Sequence, residues 1–444
     1  MFAPRLSRTR FVATFGALFS LSVLAEKTYA QTVPVALSRS SNGTFQLMRD
    51  GKPYFIKGAG GSASLPKLQD AGGNSIRTWG ADNIGPLLDE AQKLGLTVCV
   101  GVWFGHKEHG FSYDNPKQVA EQYERVRQTV LRYKDHPAVL AWALGNEMEM
   151  GNEGSAVWRA VNDAAVLVKS LDSRHPTLTV VAEIGGDKIK KINELCPAID
   201  IIGINSYGGA PSLAQRYKTA GGTKPYILTE FGPPGTWESG KKPWGAVPEL
   251  TSTEKGASYR RAYEGAVRNQ PLCLGAYAFT WGNKQEATAT WYGMFLPDGS
   301  KLAAVDTMTE LWRGTPPPNR CPIVQSLRLE TPETTEPGGA VRASLAVSDP
   351  ENNPLVVQWV LQKDALNDAV GGGTQAVPPV FPDALVHADA HGAQIQMPKI
   401  AGAYRLFVYV RDNAGGAAVA NLPLLVKSDV ASTRVNASPT SVPK

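Results

Sequence analysis

Two glutamates that close apolar runs carry the clearest chemistry in the sequence. Residues Ala141 to Glu147 read Ala-Trp-Ala-Leu-Gly-Asn-Glu, an apolar run that stops at an amide and a carboxylic acid, and Tyr226 to Glu230 read Tyr-Ile-Leu-Thr-Glu. Runs of this kind are what strands buried on both faces look like, with polar groups delivered at the open end. Two carboxyls brought to one cavity are what cleavage of a glycosidic (acetal) bond requires. One protonates the departing oxygen, while the other, ionised, attacks the anomeric carbon or activates water. A separation of roughly 5 Å gives retention of configuration and one of roughly 6.5–9.5 Å gives inversion.

Glu147 and Glu230 lie 83 positions apart, so topology must bring them together. From Tyr54 to Gly314 apolar runs alternate with helix-like segments eight times. The strands read as Tyr54–Gly58, Ser75–Trp79, Thr97–Phe104, Val139–Asn146, Thr177–Ala182, Ile199–Asn205, Tyr226–Glu230 and Cys273–Trp281. The helices between them include Pro116–Tyr133, where Val119, Tyr123, Val126 and Val130 fall on one face at 3.6-residue spacing. Strict alternation demands a parallel sheet, and eight units predict a closed (β/α)8 TIM barrel. An open doubly wound sheet is the alternative. It calls for a glycine-rich phosphate turn after the first strand, of which Gly58-Ala59-Gly60-Gly61 is a weak form without a later glycine or an acidic partner. In a barrel, groups at the carboxyl ends of strands share one mouth, which gathers Arg77, His106, Asn146, Glu147, Glu183, Asn205, Tyr207, Glu230 and Trp281. Strict alternation along a strand cannot point Asn146 and Glu147 into the same cavity, so a bulge or a strand end is required there.

The remaining chain divides by composition. Residues 1–30 combine Arg5, Arg8 and Arg10 with an apolar run from Phe11 to Leu24 and end at Ala30, the pattern of a cleaved export signal. A hairpin turning at Asp50-Gly51 precedes the barrel, which spans 31–315. Residues 316–325 are a proline-rich linker, 326–427 alternate as short strands with Asp, Asn, Gly and Pro between them, and 428–444 are rich in Ser, Thr and Pro. The expected architecture is the barrel followed by a small all-β sandwich. Losing residues 1–30 removes Arg5, Arg8, Arg10 and Lys27 against Glu26, which lowers the formal charge from +5 to +2. That balance, with no basic block, gives no footing for nucleic acid, and no later segment is long and apolar enough to span a bilayer. The four cysteines lack metal-ligand spacing, and His106 and His109 have no third ligand nearby, so no metal and no cofactor are expected. Export permits one disulfide, for example Cys321 with Cys196 or Cys273.

Gly145-Asn146-Glu147 after the fourth strand and Thr229-Glu230-Phe231-Gly232 after the seventh resemble the two signatures of clan A glycoside hydrolases. The barrel is similar to those of family 2 and, around Ser75-Ile-Arg-Thr-Trp79, to family 5 and the family 72 glucanosyltransferases. The resemblance implies a retaining mechanism with Glu147 as acid/base and Glu230 as nucleophile. It further implies Asn146 on the sugar 2-hydroxyl, Arg77 and Tyr207 beside the nucleophile, and Trp281 as the eighth-strand platform. Trp103, His106, Asn205, Trp237 and Trp244 complete the expected substrate-binding set, since sugar C–H faces pack well on aromatic rings. Asp349-Pro-Glu-Asn-Asn-Pro-Leu355 followed by Trp359 resembles PKD, cadherin and other immunoglobulin-like modules. The expected partner is a β-linked glucan or related polysaccharide, hydrolysed or transferred to a second sugar. A non-catalytic glycan-binding protein on the same scaffold is the alternative from another class.

Overall fold

In the computed structural model, the described residues are 32–61, 63–152, 154–366, 373 and 375–427; the expected export signal (1–30) and the tail (428–444) lie outside them. The chain opens with a meander of β1 (Val35–Arg39), β2 (Phe45–Arg49) and β3 (Lys52–Pro53). Asp50 and Gly51 both take positive φ, 52° and 69°, the pair of left-handed residues that a two-residue hairpin turn needs. Val35 and Leu47 pack with Ile56, Leu140, Leu178, Ile201, Ile227 and Leu274, closing the amino-terminal end of the barrel.

Eight parallel strands form the closed barrel: β4 (Ile56–Gly60), β5 (Ser75–Arg77), β6 (Thr97–Val102), β7 (Val139–Asn146), β8 (Thr177–Ala182), β9 (Ile201–Asn205), β10 (Tyr226–Phe231) and β11 (Cys273–Ala278). Helices α1 (Leu65–Asp70), α2 (Gly85–Lys93), α3 (Pro116–Tyr133), α4 (Ala156–Leu171), α5 (Lys188–Leu195), α6 (Leu213–Thr219), α7 (Ser252–Ala266) and α8 (Ala303–Arg313) follow the strands in turn. Local signals set their ends. The Asn115 side chain accepts from the Lys117 and Gln118 N–H groups ahead of Pro116, Thr251 and Glu254 form a capping box on α7, and α8 stops at Gly314 with φ 80°. The first barrel strand begins two residues later than its composition predicts, and the Tyr54 N–H donates to the Leu47 carbonyl of β2 at 2.8 Å instead. The eighth ends at Ala278, three residues early.

Two four-stranded sheets make up the C-terminal unit. One has the order β12 (Ile323–Leu329), β14 (Ala340–Ser348), β17 (Gly392–Gln396), β16 (Leu385–Ala388), and the other β13 (Thr334–Thr335), β19 (Ala417–Val426), β18 (Gly402–Arg411), β15 (Val356–Lys363). Trp359, Leu361, Ile395, Leu406, Val408 and Val410 lie in the core shared by the two sheets. Asp349 accepts from the Glu351 and Asn353 N–H groups at 3.0 and 2.8 Å, so the acidic turn is closed by its own carboxylate.

Residues 316–325 do not hold the two units apart. Cys321 N donates to Asp306 at 2.6 Å, Asn319 bonds Asp412 at 2.8 Å, Ala417 N donates to the Lys301 carbonyl at 2.8 Å, and Val419 N donates to Ser252 Oγ at 2.9 Å. Leu296 and Leu302 of the barrel share a buried cluster with Phe407, Ala417 and Val419 of the sandwich. The four cysteines are free and buried, so the disulfide that export would permit is not formed. Three are committed elsewhere: Cys196 Sγ donates to the Trp158 carbonyl, Cys273 to that of Gly275 and Cys321 to that of Lys301. Burial pushes the Cys99 thiol up to about 11 and those of Cys196 and Cys273 up to about 12, which leaves them unreactive. Ending the chain after Thr315 strips Leu296 and Leu302 of their partners. A 32–315 fragment is expected to melt at least about 10 °C below the full chain by calorimetry; equal melting temperatures would mean the interface contributes nothing.

Candidate active site

Glu147 is set by a break in its strand. Gly145 has φ 75° and Glu147 φ 55°, and the pairing of β7 with β8 shifts register between Ala143 and Asn146. This is the irregularity that lets two consecutive side chains enter one cavity. Gly145 is required, since a Cβ there would sit 2.1 Å from Met148 Sδ in a conformation that side chains rarely adopt. The end of β10 is irregular too, with register shifts against β9 between Leu228 and Glu230 and against β11 between Leu228 and Phe231.

Four strands, β5, β7, β9 and β10, converge on the pair. Arg77 at the end of β5 is 1% exposed; its Nη1 donates to Glu230 Oε1 at 2.8 Å and to the Thr229 carbonyl at 3.1 Å, and its Nη2 to Asn146 Oδ1 at 2.6 Å. Tyr207 OH donates to Glu230 Oε2 at 2.7 Å and Trp79 Nε1 to Glu230 Oε1 at 2.8 Å. Asn205 Nδ2 donates to Glu147 Oε1 at 2.7 Å and to Asn146 Oδ1 at 3.2 Å, while its own Oδ1 accepts from Thr229 Oγ1 at 2.8 Å. Asn205, expected on substrate, therefore meets the carboxyl of Glu147.

These contacts make the two carboxyls unequal. Burial, and then the negative charge of Glu230, push Glu147 up to about 7, against a smaller downward pull from the Asn205 amide. Glu230 accepts from three side chains, one of them a guanidinium. Burial, and next the Glu230 charge, push the Tyr207 phenol far up, so it stays a donor.

The remaining expected residues separate. Trp103 is 43% exposed and stacks on His106 with centroids 4.9 Å apart, and burial lowers the His106 pKa below its ordinary value. Trp237 is 67% exposed and meets Tyr207 edge-on at 5.7 Å, and Trp244 is half-buried. Trp281 is not a platform in the mouth. It is 1% exposed, its Nε1 donates to the Ser64 carbonyl at 3.2 Å, and its ring packs on Phe295 and Trp312, because β11 ends before it. Phe279 takes the wall position instead, edge-on to Trp79 at 5.6 Å and to Tyr207 at 6.1 Å, with Tyr292 beside it at 5.5 Å. Sequence reasoning passed over Phe279 and Tyr292. For Trp79 the signal was present: it stands two residues beyond Arg77 and so on the same side of an extended chain. The rim carboxylates are engaged elsewhere, Glu183 by Arg216 at 2.9 Å, Glu149 by Lys188 at 2.9 Å and Glu238 by the Gly208 and Gly235 N–H groups.

Residues 81–241 match the model of the glycosyl hydrolases family 2 TIM-barrel domain, a span that holds Asn146, Glu147, Asn205, Tyr207 and Glu230. A probable mannan endo-1,4-beta-mannosidase A of Aspergillus oryzae is 26% identical over 150 residues, 30% of this chain and 36% of that protein. Among solved structures, a beta-glucuronidase of Bifidobacterium dentium complexed with coumarin-3-O-glucuronide superimposes with TM-score 0.51 at 18% identity, covering 64% of this chain and 49% of the other. A Faecalibacterium prausnitzii beta-glucuronidase gives TM-score 0.50 at 17% identity, over 64% and 52%. The chain thus spans about a third of the mannosidase and about half of each glucuronidase. The two structural likenesses show the barrel fold; the family match and the mannosidase support a glycoside hydrolase.

A carboxyl whose folded pKa is raised from 4.5 to about 7 binds more protons folded than unfolded in that window, so it costs stability as pH rises through it. Glu147→Gln is expected to raise stability at pH 8 by roughly 2 kcal/mol and to have little effect at pH 4, read by urea unfolding at both. An equal effect at the two pH values would remove Glu147 as a buried acid.

Proposed function

We propose that this chain is a retaining β-glycosidase acting on a β-linked polysaccharide, a glucan or a related glycan such as a mannan. The carrying observation is the inequality of the two carboxyls: Glu230 holds three side-chain donors, while Glu147 keeps its proton toward neutral pH. In the first half-reaction Glu230 attacks the anomeric carbon as Glu147 protonates the leaving oxygen. Glycosylation removes the Glu230 charge that had raised the Glu147 pKa, so Glu147 falls toward an ordinary carboxylate and takes a proton from incoming water or from a second sugar. Arg77 carries its positive charge through both steps. Asn146, held by Arg77 and Asn205, is placed for the hydroxyl next to the reacting carbon. Trp103 and Trp237, on the loops after β6 and β10, offer exposed rings to sugars along the cleft.

This reading has separate tests for each carboxyl. Glu230→Ala is expected to lower turnover by about 10⁴-fold or more, with azide yielding a glycosyl azide of inverted configuration; unaltered turnover would dismiss Glu230 as nucleophile. Glu147→Ala is expected to lose roughly 10²–10⁴-fold on natural linkages and far less in the first step with good leaving groups. The alkaline limb of kcat/KM is expected near pH 7 and should move up in Asn205→Ala, which removes a donor to the Glu147 anion. Product analysis on β-glucans and mannans, following shortened and lengthened oligosaccharides, separates hydrolysis from transfer. Binding without cleavage would identify a glycan-binding protein instead.

A further inference from the structure

Behind the aromatic wall of the mouth runs a buried chain of polar contacts that begins in the sandwich. Arg405 of β18 is 3% exposed; its Nη1 donates to Asn421 Oδ1 at 2.7 Å, and its Nη2 to Asp364 Oδ2 and to the Val247 carbonyl, both at 3.0 Å. Asn421 Nδ2 donates to Glu249 Oε2 at 2.7 Å. Val247 and Glu249 belong to the barrel loop between β10 and α7. Glu249 Oε1 accepts from Lys255 Nζ and, at 2.9 Å, from Thr290 Oγ1, and Lys255 Nζ also donates to the Thr290 carbonyl at 2.6 Å. The Lys255 and Glu249 side chains are 8% and 1% exposed, so this ion pair is fixed in place rather than solvated. A second strap reaches the same segment. The Gln375 N–H donates to the Gln285 carbonyl at 2.8 Å, and its Oε1 accepts from Ala287 N at 2.7 Å. The sandwich therefore holds residues 285–292 directly at one end, through Gln375, and at the other through Asn421 and the barrel's Glu249 on Thr290.

That segment finishes in Trp291 and Tyr292, which form the wall with Val247, Phe279 and Ala287, against Trp79 and Tyr207. Tyr292 lies 5.3 Å from Tyr207, and Tyr207 and Trp79 supply two of the three side-chain donors on Glu230. A small cavity lined by Ser252, Lys255, Tyr259, Trp291 and Tyr292 adjoins the wall.

We propose that the sandwich is a working part of the active site: Arg405 and Gln375 are positioning residues that hold residues 285–292 and, through Tyr292, Phe279 and Tyr207, the hydrogen bonds on Glu230. The inference rests on Glu230 being the nucleophile of the proposed glycosidase. The charged groups facing Arg405 are Asp364 and, through Asn421, Glu249, which Lys255 neutralises; those facing Glu230 are Arg77 and Glu147.

The test uses the full chain and two readouts. The Trp79 indole N–H, bonded to Glu230, has its own ¹H–¹⁵N resonance, assigned by its loss in Trp79→Phe. In Gln375→Ala and Arg405→Met that resonance is expected to move toward the position of a free indole. kcat should fall roughly tenfold with KM held within about twofold, the cost of a sub-ångström misplacement, and Arg405→Lys should recover part of both. A role in stability alone would lower the melting temperature and leave the resonance and kcat where they are, and that result overturns the proposal. Should Arg405→Met not fold, Gln375→Ala decides by itself. Absence of turnover in the unaltered protein would count against the glycosidase reading, while the resonance still decides this one.

Discussion

Everything at the mouth depends on Arg77. A guanidinium cannot shed its charge, and one that is 1% exposed is tolerable only if the groups around it are anionic or strongly polar. Its fork reaches Glu230 and the Thr229 carbonyl with one nitrogen and Asn146 with the other, and so ties β5 to β10 and β7. Arg77 also favours the Glu147 anion, but burial and the neighbouring Glu230 charge outweigh it and make ionisation of Glu147 unfavourable. Two chemically identical side chains thus part company: Arg77 bonds Glu230 directly, while burial and the Glu230 charge hold the proton on Glu147.

A barrel built from regular strands would not achieve this. Regular alternation sends neighbouring residues to opposite faces, yet Asn146 and Glu147 both contact Asn205. The register shift on β7, with left-handed backbone at Gly145 and Glu147, and the shifts around Glu230 on β10 are where the regular ladder yields to the needs of the site. Bulges at barrel rims serve to re-aim side chains, and here they re-aim Glu147 and Glu230.

The sandwich changes meaning when seen against the barrel. By composition it is an appendage beyond a proline-rich linker, but its inner strands share a core with the β11–α8 loop and its Arg405 is buried against barrel backbone. Burying Arg405 and Lys255 between the two units is costly unless every partner stays in register, so the interface admits little sliding.

The sequence by itself determined the alternation of eight strands and helices, and hence that Glu147 and Glu230 would meet at one mouth with Arg77, Asn146 and Tyr207. Those features are periodic or sit at strand ends, and local pattern records both. Strand termini resisted. Trp281 reads as the end of an apolar strand, but the chain departs at Phe279, and no local preference distinguishes a ring that faces the mouth from one buried against Ser64, Phe295 and Trp312. Tyr292 was equally silent, since its role comes from neighbours distant in sequence. Tertiary structure decided which aromatic lines the wall, which carboxyl keeps its proton and how closely the sandwich binds, because burial and charge are sums over residues that only the closed fold brings together.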